Sequence, residues 1–153
     1  IGLAWLAQQP RPLKPNSCSM LEAQDVSVAL CRRTLQKNGL EEAVRVHQGD
    51  LRHPQSLEEL QGPFDVVTAN PPYFTKTCGV LPSHSQRAHC RHELRGGTQD
   101  FCKAAAKLLA PGGKFCMIHA APRFPDVLRA LQDSRFAVQR HVNVYFRGNC
   151  KSV

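Results

Sequence analysis

Residues 64–74 read Phe-Asp-Val-Val-Thr-Ala-Asn-Pro-Pro-Tyr-Phe, an apolar run that stops on two consecutive prolines. The run itself predicts a buried β-strand. Pro71 and Pro72 carry no backbone N–H and have φ fixed by their rings, so no ladder continues past Asn70 and a stiff, extended turn must follow. That turn presents an amide side chain, a free carbonyl and an aromatic ring at the carboxyl end of a strand. In open α/β sheets, ligands bind at that edge.

These groups suit the transfer of a carbon to a planar nitrogen. An amine conjugated to a ring or carbonyl is a poor nucleophile because its lone pair is delocalised. Asn70 Oδ1 and the Pro71 carbonyl can each accept a hydrogen bond from such an amine, and they favour the pyramidal nitrogen on which charge develops. The ring of Tyr73 would stack on the planar substrate, with Phe74 beside it.

At these residues the sequence resembles the Asn-Pro-Pro-Tyr class of S-adenosylmethionine-dependent methyltransferases, which act on amino groups of adenine, cytosine or glutamine. Within that class it is most similar to the bacterial-type tRNA (adenine-N(6))-methyltransferases. The features shared are Asn-Pro-Pro-Tyr-Phe, an Arg/His-rich stretch after it, and Leu-Leu-Ala-Pro-Gly-Gly at residues 108–113. The resemblance implies catalytic roles for Asn70, Pro71, Pro72 and Tyr73, and S-adenosyl-L-methionine as the cofactor, with Asn70 also on its side. Tyr73 and Phe74 would then face the substrate.

A chain of 153 residues is one domain, here residues 1–153. Its charge of +8 and pI near 9.4 suit a polyanionic partner, and RNA, specifically tRNA, is the partner expected. Seven cysteines without Cys-x-x-Cys pairs point to reduced thiols in a cytoplasmic or organellar interior rather than a disulfide framework. No apolar run reaches the ~18 residues of a membrane span and no signal peptide is visible, so no membrane association is expected.

The first residues, Ile-Gly-Leu-Ala-Trp-Leu-Ala, read as the interior of a helix without a cap, which marks Ile1 as an unnatural beginning. The Asp-x-Gly-x-Gly-x-Gly loop that precedes this point in the family is absent. Residues 16–21 form a short strand ending at Glu22. Acids after the second strand of such folds bind ribose hydroxyls, and the resemblance gives Glu22 that role toward the cofactor; an acid there also suits the start of the following helix. A helix over residues 25–38, with Val28, Cys31 and Leu35 on one stripe, closes at Gly39. After a strand at residues 44–48, Gly49-Asp50-Leu51 resembles the place where the family's acid accepts a hydrogen bond from the cofactor's adenine amine.

A short helix is expected at residues 54–61. Residues 75–97 interleave Cys78, His84, His89, Cys90 and His92 with Arg87, Arg91 and Arg95. No two of the Cys and His pairs have the spacing of a zinc site, so no metal is assigned. A basic loop that contacts the substrate, chiefly through Arg87 and Arg91, is the better reading, because guanidinium groups pair with phosphates and stack on bases. A helix over 98–109 ended by Pro111-Gly112-Gly113, a buried strand over 114–119, a helix over 122–133 and a strand within 136–146 complete the chain.

Strands alternating with helices demand a mainly parallel sheet covered on both faces. The fold class is therefore α/β: a Rossmann-like class I methyltransferase sheet with helices on both faces, lacking its first strand and its last. The expected activity is methylation of an exocyclic amine, adenine N(6) in tRNA or other RNA. The alternatives are a protein glutamine N-methyltransferase and an inactive truncated remnant that acts as a binding module.

Overall fold

The computed structural model describes residues 17–75 and 93–145. The chain divides between Gln61 and Gly62 into two compact units. The first holds β1 (Cys18–Glu22), α1 (Asp25–Lys37), β2 (Val44–Gln48) and the single-turn α2 (Pro54–Glu58). β1 and β2 pair in parallel, in register from Cys18 against Val44 to Glu22 against Gln48. Parallel strands cannot be joined by a tight turn, and α1 is the crossover that joins them.

The spacing of Val28 and Leu35 puts both on the inward stripe of α1, where they are buried. Asp25 in the first turn and Lys37 in the last complement the helix dipole. Gly39, at φ +60°, takes the left-handed conformation just past the C-cap. The core of this unit is Leu35 against Val44, with Cys18, Met20, Leu40 and Val46 packed around them. At the carboxyl end of β2 a Cβ on Gly49 would lie 2.5 Å from Ser56 Oγ and 2.7 Å from Ser56 Cβ. Only glycine lets α2 approach that closely.

The second unit holds β3 (Phe64–Ala69), α3 (Thr98–Leu108), β4 (Leu109–Met117) and α4 (Phe124–Asp133), with short 3₁₀ turns at Glu93–Arg95 and Ala121–Arg123. β3 and β4 are again parallel, with Val66 opposite Lys114 and Ala69 opposite Met117. The core face of α3 is small: Cys102 is 0% and Ala105 1% exposed, which lets α4 pack close through Val127 and Ala130. Burial pushes the Cys102 thiol up to about 11, so it stays protonated and serves as a small apolar group.

The parallel pairing follows the sequence reading, but the described residues form two separate two-stranded sheets. β3 is not the buried strand expected: Val66 is 53% exposed, and Asp65 and Thr68 are exposed as well. Helix α3 packs on this strand pair, yet Val66 still meets solvent. Likewise β4 exposes Lys114 and Cys116.

Pro111-Gly112-Gly113 does not end the helix. α3 stops at Leu108, and these residues form an irregularity inside β4 between the Leu109 and Lys114 pairings, with Gly112 at φ +79°. The strand expected within 136–146 is absent among the described residues, which run unpaired to Tyr145. Side-chain contacts take the place of a ladder there. The Phe136 ring meets Phe115 at 5.3 Å, and His141 stacks on Phe124 at 4.3 Å. Among the described residues no helix is long and apolar enough to cross a membrane.

Candidate active site

The second unit delivers the proline turn where the sequence places it, directly after β3. The strand ends at Ala69, whose carbonyl accepts the Ile118 N–H at 3.1 Å, and the chain leaves the sheet at Asn70. Pro71 is among the most completely buried side chains, whereas Asn70 is exposed, Tyr73 half-buried and Phe74 48% exposed. One proline is therefore the root of the turn, and the amide and rings are its accessible edge.

Residues that the sequence reading did not single out hold this turn from behind. Arg123 Nη1 donates to the Tyr73 carbonyl at 3.2 Å, and its Nη2 donates to Glu93 Oε1 at 3.1 Å. The Glu93 N–H in turn donates to the Phe74 carbonyl at 2.9 Å. The His119 ring lies against Tyr73, centroids 5.3 Å apart and planes tilted by 41°. Its Nδ1 accepts the Ala120 N–H at 2.9 Å, so the proton of the neutral ring sits on Nε2 and is donated to Thr98 Oγ1 at 3.0 Å. Burial, with the nearby Arg123 cation, holds the His119 pKa below its ordinary value. His119 and Arg123 follow the carboxyl end of β4, the strand beside β3. The rule that ligand-facing residues gather at carboxyl ends was the available signal for them.

In the first unit Glu22 and Asp50 come together at the carboxyl ends of β1 and β2, where the Gly49 N–H donates to the Glu22 carbonyl at 3.0 Å. Glu22 Oε1 accepts the Gln24 N–H at 2.8 Å, the helix-start role that an acid at this position can play. The carboxylate of Asp50 is gripped by Arg52: Oδ1 accepts Nε and the backbone N–H, each at 2.9 Å, and Oδ2 accepts Nη2 at 2.6 Å. A carboxylate offers about four lone-pair sites, so Oδ2 keeps capacity for one further donor.

The hydrogen bonds from Arg52 hold the Asp50 carboxyl down to about 2, from an ordinary 3.8. A depressed carboxylate pKa contributes stability that is present above 3.8 and is lost as the pH falls through about 2. Arg52→Ala is expected to move the Asp50 titration, followed by carboxyl carbon NMR, up toward the ordinary value. An unmoved titration would show that Arg52 does not set it.

Arg87 and Arg91, with Cys78, His84, His89, Cys90 and His92, lie outside the described residues. Arg95, itself exposed, closes the 3₁₀ turn Glu93–Arg95. Among the described residues no group of three His, Cys, Asp or Glu side chains gathers as a metal site.

The methyltransferase small domain family matches residues 1–141. The chain is 27% identical to a tRNA1(Val) (adenine(37)-N6)-methyltransferase of Shewanella sp. (strain W3-18-1), over 81% of this chain and 51% of that protein. It is 29% identical to the protein of the same name from Histophilus somni (strain 2336), over 76% and 49%. A release factor glutamine methyltransferase of Mycobacterium leprae (strain TN) is 28% identical over 76% of this chain and 50% of its own length. The chain thus spans about half the length of these curated relatives.

Proposed function

The chain belongs to the methyltransferase small domain family, and from that premise we propose that its protein is an S-adenosylmethionine-dependent N-methyltransferase acting on adenine N(6) in tRNA. One observation carries the reading: Asn70-Pro71-Pro72-Tyr73 stands at the carboxyl end of a parallel strand with Pro71 buried and Asn70 exposed.

The donor, when bound, supplies an electrophilic methyl group. The protein's part is to make the amine nucleophilic and aim it. Asn70 Oδ1 and the Pro71 carbonyl accept the two N–H groups of the target, and both bonds strengthen as its nitrogen becomes pyramidal. The ring of Tyr73 holds an unstacked base by its face, and Phe74 extends that apolar edge. On the cofactor side Glu22, whose Oε1 accepts the Gln24 N–H, would turn its other carboxylate oxygen to a ribose hydroxyl. The fit is tighter for Asp50, which shares its carboxylate with Arg52 and can take one more donor. Arg87 and Arg91, in a chain of net charge +8, supply phosphate contacts.

Resemblance to a glutamine methyltransferase supports a second reading, since a glutamine amide presents the same planar nitrogen. The test is methyl transfer from labelled S-adenosylmethionine to unmodified tRNA and, in parallel, to a glutamine-containing release-factor peptide. Transfer to tRNA is the expected result. Transfer to the peptide alone would replace the first reading by the second, and transfer to neither would end both.

A further inference from the structure

We infer that Arg123, paired with Glu93, is a positioning residue that fixes the direction of the acceptor groups in the Asn70-Pro71-Pro72-Tyr73 turn. This deepens the proposed function and rests on it. Pro71 and Pro72 have no N–H, so this stretch of the turn cannot anchor itself by donating. What the rest of the unit can grip is its carbonyls, and two consecutive ones are gripped. The Tyr73 carbonyl takes Arg123 Nη1 at 3.2 Å and the Phe74 carbonyl takes the Glu93 N–H at 2.9 Å.

The ion pair between Arg123 Nη2 and Glu93 Oε1, at 3.1 Å, ties the two grips into one ring. Both side chains are largely shielded, at 20% and 18% exposure, so the pair is less screened than a surface contact. Gly97 makes room for it: a Cβ there would lie 2.8 Å from Glu93 Cδ. The proline rings already fix φ at 71 and 72. Holding the Tyr73 carbonyl therefore leaves few torsions free between it and the Pro71 carbonyl. His119, anchored by Thr98, backs the Tyr73 ring from the same side chain cluster. Asp126 also binds Arg123, through Nε at 2.7 Å, but it belongs to α4 and bonds only the far edge of the guanidinium, not the turn. That makes it the control.

The experiment compares Arg123→Ala, Glu93→Ala, Glu93→Gln and Asp126→Ala in the full protein. It reads kcat and KM for tRNA methylation together with hydrogen exchange at the Glu93 amide. Arg123→Ala is expected to lower kcat roughly tenfold to a hundredfold, the scale for a misplaced reacting group, with cofactor KM unchanged and faster Glu93 exchange. Glu93→Ala should act in the same direction, and Glu93→Gln, which keeps an acceptor oxygen for Nη2, should recover most of the loss. Asp126→Ala should keep its turnover. Adding Arg123→Ala to Asn70→Ala should cost little more than Asn70→Ala alone, since both act through one turn.

Wild-type turnover and unchanged exchange in Arg123→Ala, beside an inactive Asn70→Ala, would overturn the inference and leave the methyltransferase reading intact. Equal losses in Asp126→Ala would overturn it too, by reducing Arg123 to a fold contact. An active Asn70→Ala would remove the reading itself. The Glu93 exchange then decides the clamp alone, faster exchange in Arg123→Ala supporting it and unchanged exchange overturning it. Should Arg123→Ala not fold, the Glu93→Ala and Glu93→Gln pair gives the same decision.

Discussion

Asn70→Ala in the full protein is expected to cut turnover by about 10² to 10³, the range for losing one preorganised polar group, with the affinity for S-adenosylmethionine little changed. Asn70 is exposed at the carboxyl end of β3 and is not part of its core, so the fold loses nothing comparable. The hydrogen bond its Oδ1 accepts is weak while the target nitrogen is planar and strengthens as the nitrogen becomes pyramidal. Its contribution therefore belongs to the transition state, and kcat falls without a matching rise in KM. Tyr73→Ala should behave differently and raise the KM for RNA, because base stacking already operates in the ground state. Near wild-type turnover for Asn70→Ala would end the amine-methylation reading.

The turn was legible because its constraints are local. Two prolines after an apolar run stop a strand at one residue, whatever else surrounds it, and the observed end at Ala69 is within one residue of that expectation. The stripe of α1 and the strand at Val44–Gln48 were legible for the same reason, since periodicity and capping are written over a few neighbouring residues. Burial of β3 was not. An apolar run says that a strand can be buried on both faces, but whether each face is covered depends on distant elements, and Val66 is exposed. The segment at 136–145 failed similarly: alternating Val142 and Val144 satisfy the pattern for a strand, and no partner backbone lies alongside them among the described residues.

The positions of the expected acceptor groups were legible, and the side chains packed around them were not. Asn70, Glu22 and Asp50 each end or follow a strand, and chain order alone puts them at carboxyl ends. Arg52 was missed although it stands two residues from Asp50, because whether a basic neighbour folds back is a matter of side-chain rotamers. Arg123 and Tyr73 are fifty residues apart, and only the parallel pairing of β3 with β4 brings the ends of those strands together.

Stability and chemistry should separate cleanly, and Leu35→Ala tests that. Leu35 is 3% exposed and meets Val44, itself 2% exposed, so it is one of the contacts by which α1 is fixed on the β1–β2 pair. Truncating such a side chain removes its transfer free energy and leaves a cavity that the surroundings only partly fill, for a loss of about 2–5 kcal/mol. With whole-domain stabilities of about 5–15 kcal/mol, that is a large share of the total. The midpoint of guanidinium unfolding should drop sharply, whereas Leu35→Ile, which conserves volume, should cost less than about 1.5 kcal/mol. Because Leu35 is remote in sequence from Glu22 and Asp50 and acts on them only through strand register, the molecules still folded at 25 °C should bind cofactor normally. Asn70→Ala should show the inverse, an unchanged midpoint with turnover lost. An unfolding midpoint for Leu35→Ala equal to that of the parent protein would mean that α1 does not dock through this residue, and the placement of Glu22 beside Asp50 would then need another cause.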